Sequence, residues 1–140
     1  MASSLVRFGV SMAAPLVAQF DELIANQGYR TRSEAIRDLI RERLVQREWE
    51  RGDENVAGTL TLIYNHRVRG LTDRLTMAQH EHVGLIVATL HVHLDEHNCL
   101  EVLAMKGRAS TLTQVSDRLL SSRGVKHGKL VLTSTGESLV

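Results

Sequence analysis

The chain has 140 residues, of which 43% are hydrophobic and only 4% aromatic, so aliphatic side chains must fill its core. A net charge of +1 excludes the strongly basic class of nonspecific nucleic-acid binders, and one cysteine excludes a disulfide framework. The length fits two modules of about 50 and about 80–90 residues; the smaller is marginal alone, so dimerisation is expected from size.

Leu5 to Met12 alternate, with Val6, Phe8, Val10 and Met12 on one side and Leu5, Arg7, Gly9 and Ser11 on the other. Period-two alternation predicts a half-buried strand, and a lone terminal strand needs a partner, here the same strand of a second chain. Pro15 to Gln27 reads as a helix stopped by Gly28. Thr31 and Glu34 form a capping box for a second helix with a stripe of Ala35, Ile36, Leu39, Ile40 and Leu44, running through Glu48. These elements make a first module over residues 1–49. Residues 50–57, polar with one glycine, read as a linker.

Residues 58–140 read as strand, helix, strand, strand, helix, strand, the ferredoxin-like βαββαβ order, which makes the chain α+β. The strands are expected near 58–65, 83–94, 99–106 and 129–133, and the helices near 72–79 and 111–122. No apolar stretch is long enough to span a membrane and no secretory signal is visible, so a cytoplasmic location is expected.

A paired ribbon can enter the DNA major groove and present alternate side chains to base edges. The outward positions here are Arg7, Gly9 and Ser11. Arginine suits guanine because its planar fork meets two acceptors, a contact worth roughly 1–3 kcal/mol of discrimination. The start of the second helix, at Arg32 and Ser33, offers free backbone amides to a phosphate, and Arg37 lies about one turn further on.

The densest chemical signal is His91-Val92-His93-Leu94-Asp95-Glu96-His97-Asn98-Cys99. Two histidines two apart on a strand face the same way, and a turn brings Cys99 back beside them, a three-ligand transition-metal pattern. A closed site needs a fourth ligand. From Val83 to His91 an extended strand covers roughly 26 Å, which keeps His80 from its own hairpin; as a ligand it would serve a neighbouring subunit. That contact and the ribbon contact together give a tetramer. Planar coordination would favour Ni(II) or Cu(II) and tetrahedral coordination zinc, and the ligand types leave this open.

Arg32-Ser33-Glu34-Ala35-Ile36-Arg37-Asp38 and Ala88-Thr89-Leu90-His91-Val92-His93, followed by Cys99-Leu100-Glu101, resemble the nickel-responsive transcriptional regulators (NikR). The resemblance covers almost the whole chain. It implies a ribbon-helix-helix DNA-binding domain and a tetramerising, ACT-type metal domain. It implies Ni(II) held in a plane by His91, His93 and Cys99 with His80 of another subunit. Arg7, Gly9 and Ser11 fall at its base-reading positions, where glycine departs from the family's usual Thr or Ser. It also implies a weak cation site at Glu34 and Asp38, an orienting carboxylate at Glu101, and a DNA-backbone contact at Arg69. His66 and His82 are candidates for secondary metal sites, and His97 lies in the turn.

The expected function is repression of nickel-uptake genes by a dimer of dimers on a palindromic double-stranded operator when Ni(II) is bound. The alternatives are a repressor sensing zinc, copper or cobalt, and a metal storage or delivery protein. An enzyme using Cys99 as nucleophile lacks an orienting group and an oxyanion donor, so no catalytic residue is assigned.

Overall fold

The structure, a computed structural model, describes residues 3–140. The chain divides into two compact units, residues 1–40 and 41–140.

In the first unit, helix α1 spans Ala14–Asn26 and carries Pro15 in its first turn. It ends in paired bonds, Tyr29 N–H to the Ile24 carbonyl and Gly28 N–H to the Ala25 carbonyl, a termination that requires the left-handed residue supplied by Gly28 at φ 86°. Helix α2 spans Arg32–Arg51, and the Thr31 hydroxyl caps it by accepting from Glu34 N–H at 3.2 Å. Residues 3–13 form no helix and pair with no strand of their own chain. Phe8 is 71% exposed, and Leu39 and Ile40 of the expected buried stripe also face outward. The alternating segment is therefore a strand only if a second copy supplies the ladder.

The second unit holds β1 (Asn55–Asn65), α3 (Leu71–Glu81), β2 (Ile86–His93), β3 (Asn98–Arg108), α4 (Ala109–Leu120) and β4 (Val125–Ser134). The sheet order is β2-β3-β1-β4, and each adjacent pair is antiparallel. This is the arrangement read from the sequence. Alternation sets its core: Val56, Leu60, Leu62 and Tyr64 of β1 and Cys99, Leu103 and Met105 of β3 are buried together with Leu112, Val115 and Leu119 of α4.

The expected linker 50–57 is mostly regular structure. Helix α2 runs to Arg51 and β1 starts at Asn55, which leaves 52–54 between them. Packing explains the extension. Val45 and Trp49 of α2 belong to the second unit's core, and Trp49 Nε1–H donates to the Thr133 carbonyl at 2.8 Å. Its ring lies against Gly58, where a Cβ would come within 3.2 Å of the ring and 3.0 Å of the Val131 carbonyl oxygen. Strand β2 starts later than expected because residues 82–85 make a turn in which Leu85 and Ile86 N–H both bond the His82 carbonyl.

Trp49→Ala removes this buried ring and leaves the Thr133 carbonyl without its donor. A destabilisation of about 3–5 kcal/mol is expected, read from urea unfolding at fixed protein concentration. A loss under ~1 kcal/mol would contradict the packing described.

Candidate metal centre

Antiparallel pairing of β2 with β3 sets His93 opposite Cys99 and His91 opposite Glu101. Side chains of directly paired residues point to one face, here the face that carries the helices. The turn between the strands is held by Asp95. Its Oδ1 accepts from the backbone N–H of His97 and Asn98, each at 2.8 Å, and its Oδ2 accepts from Asn98 Nδ2 at 2.8 Å. These bonds hold the Asp95 carboxyl down at about 2, below its ordinary 3.8. Lys126 of β4 donates to Asn98 Oδ1 at 2.7 Å, which ties the turn to the other side of the sheet.

Cys99 Sγ is fully buried. It lies 3.4 Å from His93 Nδ1 and 3.5 Å from His66 Nδ1. Donor atoms of His66, His93 and Cys99 all fall within 4.8 Å of one another. A soft thiolate and two imidazoles at that spacing fit a transition-metal ion. Burial, then the charges of Glu101 and Asp95, push the Cys99 thiol above its ordinary value, so ligation must displace its proton. His66 joins this group from just beyond β1 because its N–H bonds the His97 carbonyl at 3.1 Å. Sequence spacing gave no pointer to it, since 33 residues separate it from Cys99.

His91 sits beside His93, with ring centroids 4.9 Å apart, and is engaged from below. The Tyr64 hydroxyl is 3.2 Å from His91 Nδ1 and donates to Glu101 Oε2 at 3.1 Å. Gln79 of α3 donates to the other carboxylate oxygen at 2.8 Å. Burial and the adjacent Glu101 charge push the Tyr64 phenol well above its usual value, so it stays protonated. With its proton directed at Glu101 Oε2, the phenol oxygen can accept from His91 Nδ1–H in the tautomer that leaves the Nε2 lone pair open to a metal. Glu101 is 7% exposed and holds its place through these two donors. Glu101 thus meets His91 through the Tyr64 hydroxyl.

His80 lies exposed in the last turn of α3, outside the His66–His93–Cys99 group. The adjacent Gln79 reaches Glu101, so α3 runs alongside the hairpin rather than away from it. His82 Nε2 is buried without a hydrogen-bond partner among the described residues. Arg69 is exposed in the segment leading into α3, and Ser33 and Arg37 are exposed on α2. Arg32 instead pairs with Asp21 through two bonds of 2.8 and 2.7 Å. Asp38 accepts a 2.7 Å bond from the Tyr29 hydroxyl, and Glu34 stands one turn before it on α2.

Residues 57–133 match the NikR C-terminal nickel-binding domain, and residues 6–47 match the ribbon-helix-helix proteins of the copG family. Relatives named nickel-responsive regulators extend over nearly the whole chain. One from Geotalea uraniireducens is 56% identical over 134 residues, 96% of each chain. One from Pyrococcus furiosus is 55% identical over 136 residues, 97% of this chain and 99% of the relative. An uncharacterised protein from Thermotoga maritima shares the fold of 56% of this chain, with a TM-score of 0.51 at 20% identity over 98% of that protein.

Tyr64→Phe removes the hydroxyl that His91 and Glu101 share. Metal affinity is expected to fall roughly 10–100-fold, read by calorimetric titration with Ni(II), the ion in the relatives' names; unchanged affinity would mean this network does not hold His91. The Asp95 bonds predict a pH signature in the metal-free protein. A lowered carboxyl contributes stability above its unfolded value and loses it as pH falls through the folded one. The unfolding-midpoint difference between wild type and Asp95→Ala should hold down to about pH 4 and shrink toward pH 2. A difference that grew in acid would reverse the sign.

Proposed function

This chain belongs to the nickel-responsive regulator family, and on that premise we propose that it represses nickel-uptake genes, with the His93–Cys99 hairpin as its Ni(II) switch. It is a nickel-dependent, DNA-binding transcription regulator, not an enzyme. The observation that carries the reading is the 3.4 Å approach of His93 Nδ1 to Cys99 Sγ, with His91 beside them. His91, His93 and Cys99 hold Ni(II), with His80 of another subunit as the fourth donor. When bound, Ni(II) supplies a rigid cross-link between the groups that ligate it. The exposed apolar side of residues 6–12 supports a ribbon completed by a second copy, with Arg7, Gly9 and Ser11 on the DNA side. Two such dimers in a tetramer would then meet the two halves of a palindromic operator, and joint binding raises affinity without new contacts. No described helix is long and apolar enough to cross a membrane, and we place the protein in the cytoplasm, where the DNA is.

A second ligand set has its own support. His66, His93 and Cys99 already lie within one chain at ligating distances of each other, so His66 competes with His91 for the third position. The two sets separate by mutation: His91→Ala weakens nickel binding under the first and spares it under the second, and His66→Ala does the reverse.

The test of function is operator binding to a nickel-transporter promoter with and without Ni(II). Affinity is expected to rise roughly 5- to 150-fold on adding the metal, and Cys99→Ala should abolish the rise. Equal affinity with and without Ni(II) would end this reading.

A further inference from the structure

Arginine at the start of a DNA-facing helix is ordinarily counted as a phosphate contact, yet here Arg32 is already spent. Its Nε and one terminal nitrogen donate to the two oxygens of Asp21, at 2.8 and 2.7 Å. This side-on, two-point geometry is the strongest form of arginine–carboxylate pairing. Asp21 lies on α1 and Arg32 opens α2, eleven residues apart. The pair stands in solvent, with side chains 59% and 43% exposed. It therefore adds little to stability and is not explained as a fold requirement. Each member holds the other ionised: Asp21 is lowered by Arg32, and Arg32 raised by Asp21.

An exposed ion pair that adds little to the fold still changes what a polyanion meets. Affinity for DNA that is independent of sequence grows with the number of uncompensated cations set against phosphates. An arginine bound to a carboxylate brings donor groups but no net charge. The chain as a whole carries only +1, so each uncompensated arginine is a large share of its attraction for DNA.

We propose that Asp21 is a specificity-determining residue: it neutralises Arg32 beside the phosphate-facing amides of α2 and so holds down binding to non-operator DNA. The inference rests on the DNA-facing role given to α2 above. Phosphate is then gripped by the amides at Arg32 and Ser33 and by residues such as Arg37. Weak indiscriminate binding is what makes a metal-dependent grip useful, because a module that held any DNA tightly would leave the metal little to control.

The experiment is the salt dependence of binding to operator and to random duplex DNA by the full-length nickel-loaded protein. Asp21→Asn keeps the shape and frees the arginine. Its log–log salt slope should steepen by about 0.9 for each engaged copy, and its affinity for random DNA should increase more than that for operator. The double variant Asp21→Asn with Arg32→Gln removes both charges and should return to the wild-type slope. A purely structural pair predicts the opposite sign, with weaker DNA binding in Asp21→Asn. The inference is overturned by an unchanged or shallower slope in Asp21→Asn, or by a double variant shallower than wild type, which would show that Arg32 spends its charge on DNA. Both variants should take up nickel as wild type does, since neither residue lies in the metal-binding unit. A wild-type protein with no affinity for either DNA would overturn the functional reading as well.

Discussion

The register of β2 on β3 is the constraint on which the rest of the molecule depends. His93 faces Cys99 and His91 faces Glu101 because of that pairing alone. A slip of one residue would turn both histidines to the opposite face of the sheet. Two separate devices pin the register. Buried Cys99, Leu103 and Met105 anchor β3 in the core, and the Asp95 turn fixes the number of residues between the strands. The β2 side of the hairpin remains exposed, so the imidazoles stand at the margin while the thiol lies within. A centre half in the core and half open can admit an ion and still hold it in set geometry.

Below that centre the fold accepts a local cost. A carboxylate at 7% exposure needs compensation, and Glu101 finds it in Tyr64 and Gln79 rather than in a cation. The arrangement links three elements, β1, α3 and β3, to one imidazole on β2. Gln79, at the far end of this network, is next in sequence to His80. The other end of the unit is fixed by the indole of Trp49 against Gly58 and the Thr133 carbonyl. That indole belongs to α2, the helix that opens with Arg32 and Ser33.

Much of this was legible in the sequence, and the parts that were not share a cause. The strand expected at 58–65 matches β1, and spacing brings His91, His93 and Cys99 forward as candidates, because both signals are local. The capping of α2 by Thr31 was local too. His66 was missed as a partner of Cys99 because only the finished sheet, with β1 beside β3, brings residue 66 to the hairpin. Trp49 carries no local signal of burial, because its partners Gly58 and Thr133 are both remote in sequence. The linker misjudged the same region: Glu50 and Arg51 look like loop by polarity, yet they continue a helix whose neighbours Val45 and Trp49 are anchored. The expectation at Arg32 rests on the free backbone amides of a helix start, a local feature, whereas the pairing of its side chain with Asp21 requires α1 to lie against the start of α2.

The central claim is that strand register delivers thiolate and imidazole to one metal ion. X-ray absorption at the nickel edge of the Ni(II)-loaded protein addresses it most directly. The account predicts one sulfur among nitrogen scatterers characteristic of imidazole, with the sulfur lost in Cys99→Ser. A nickel environment of nitrogen and oxygen alone in the wild-type protein would contradict it.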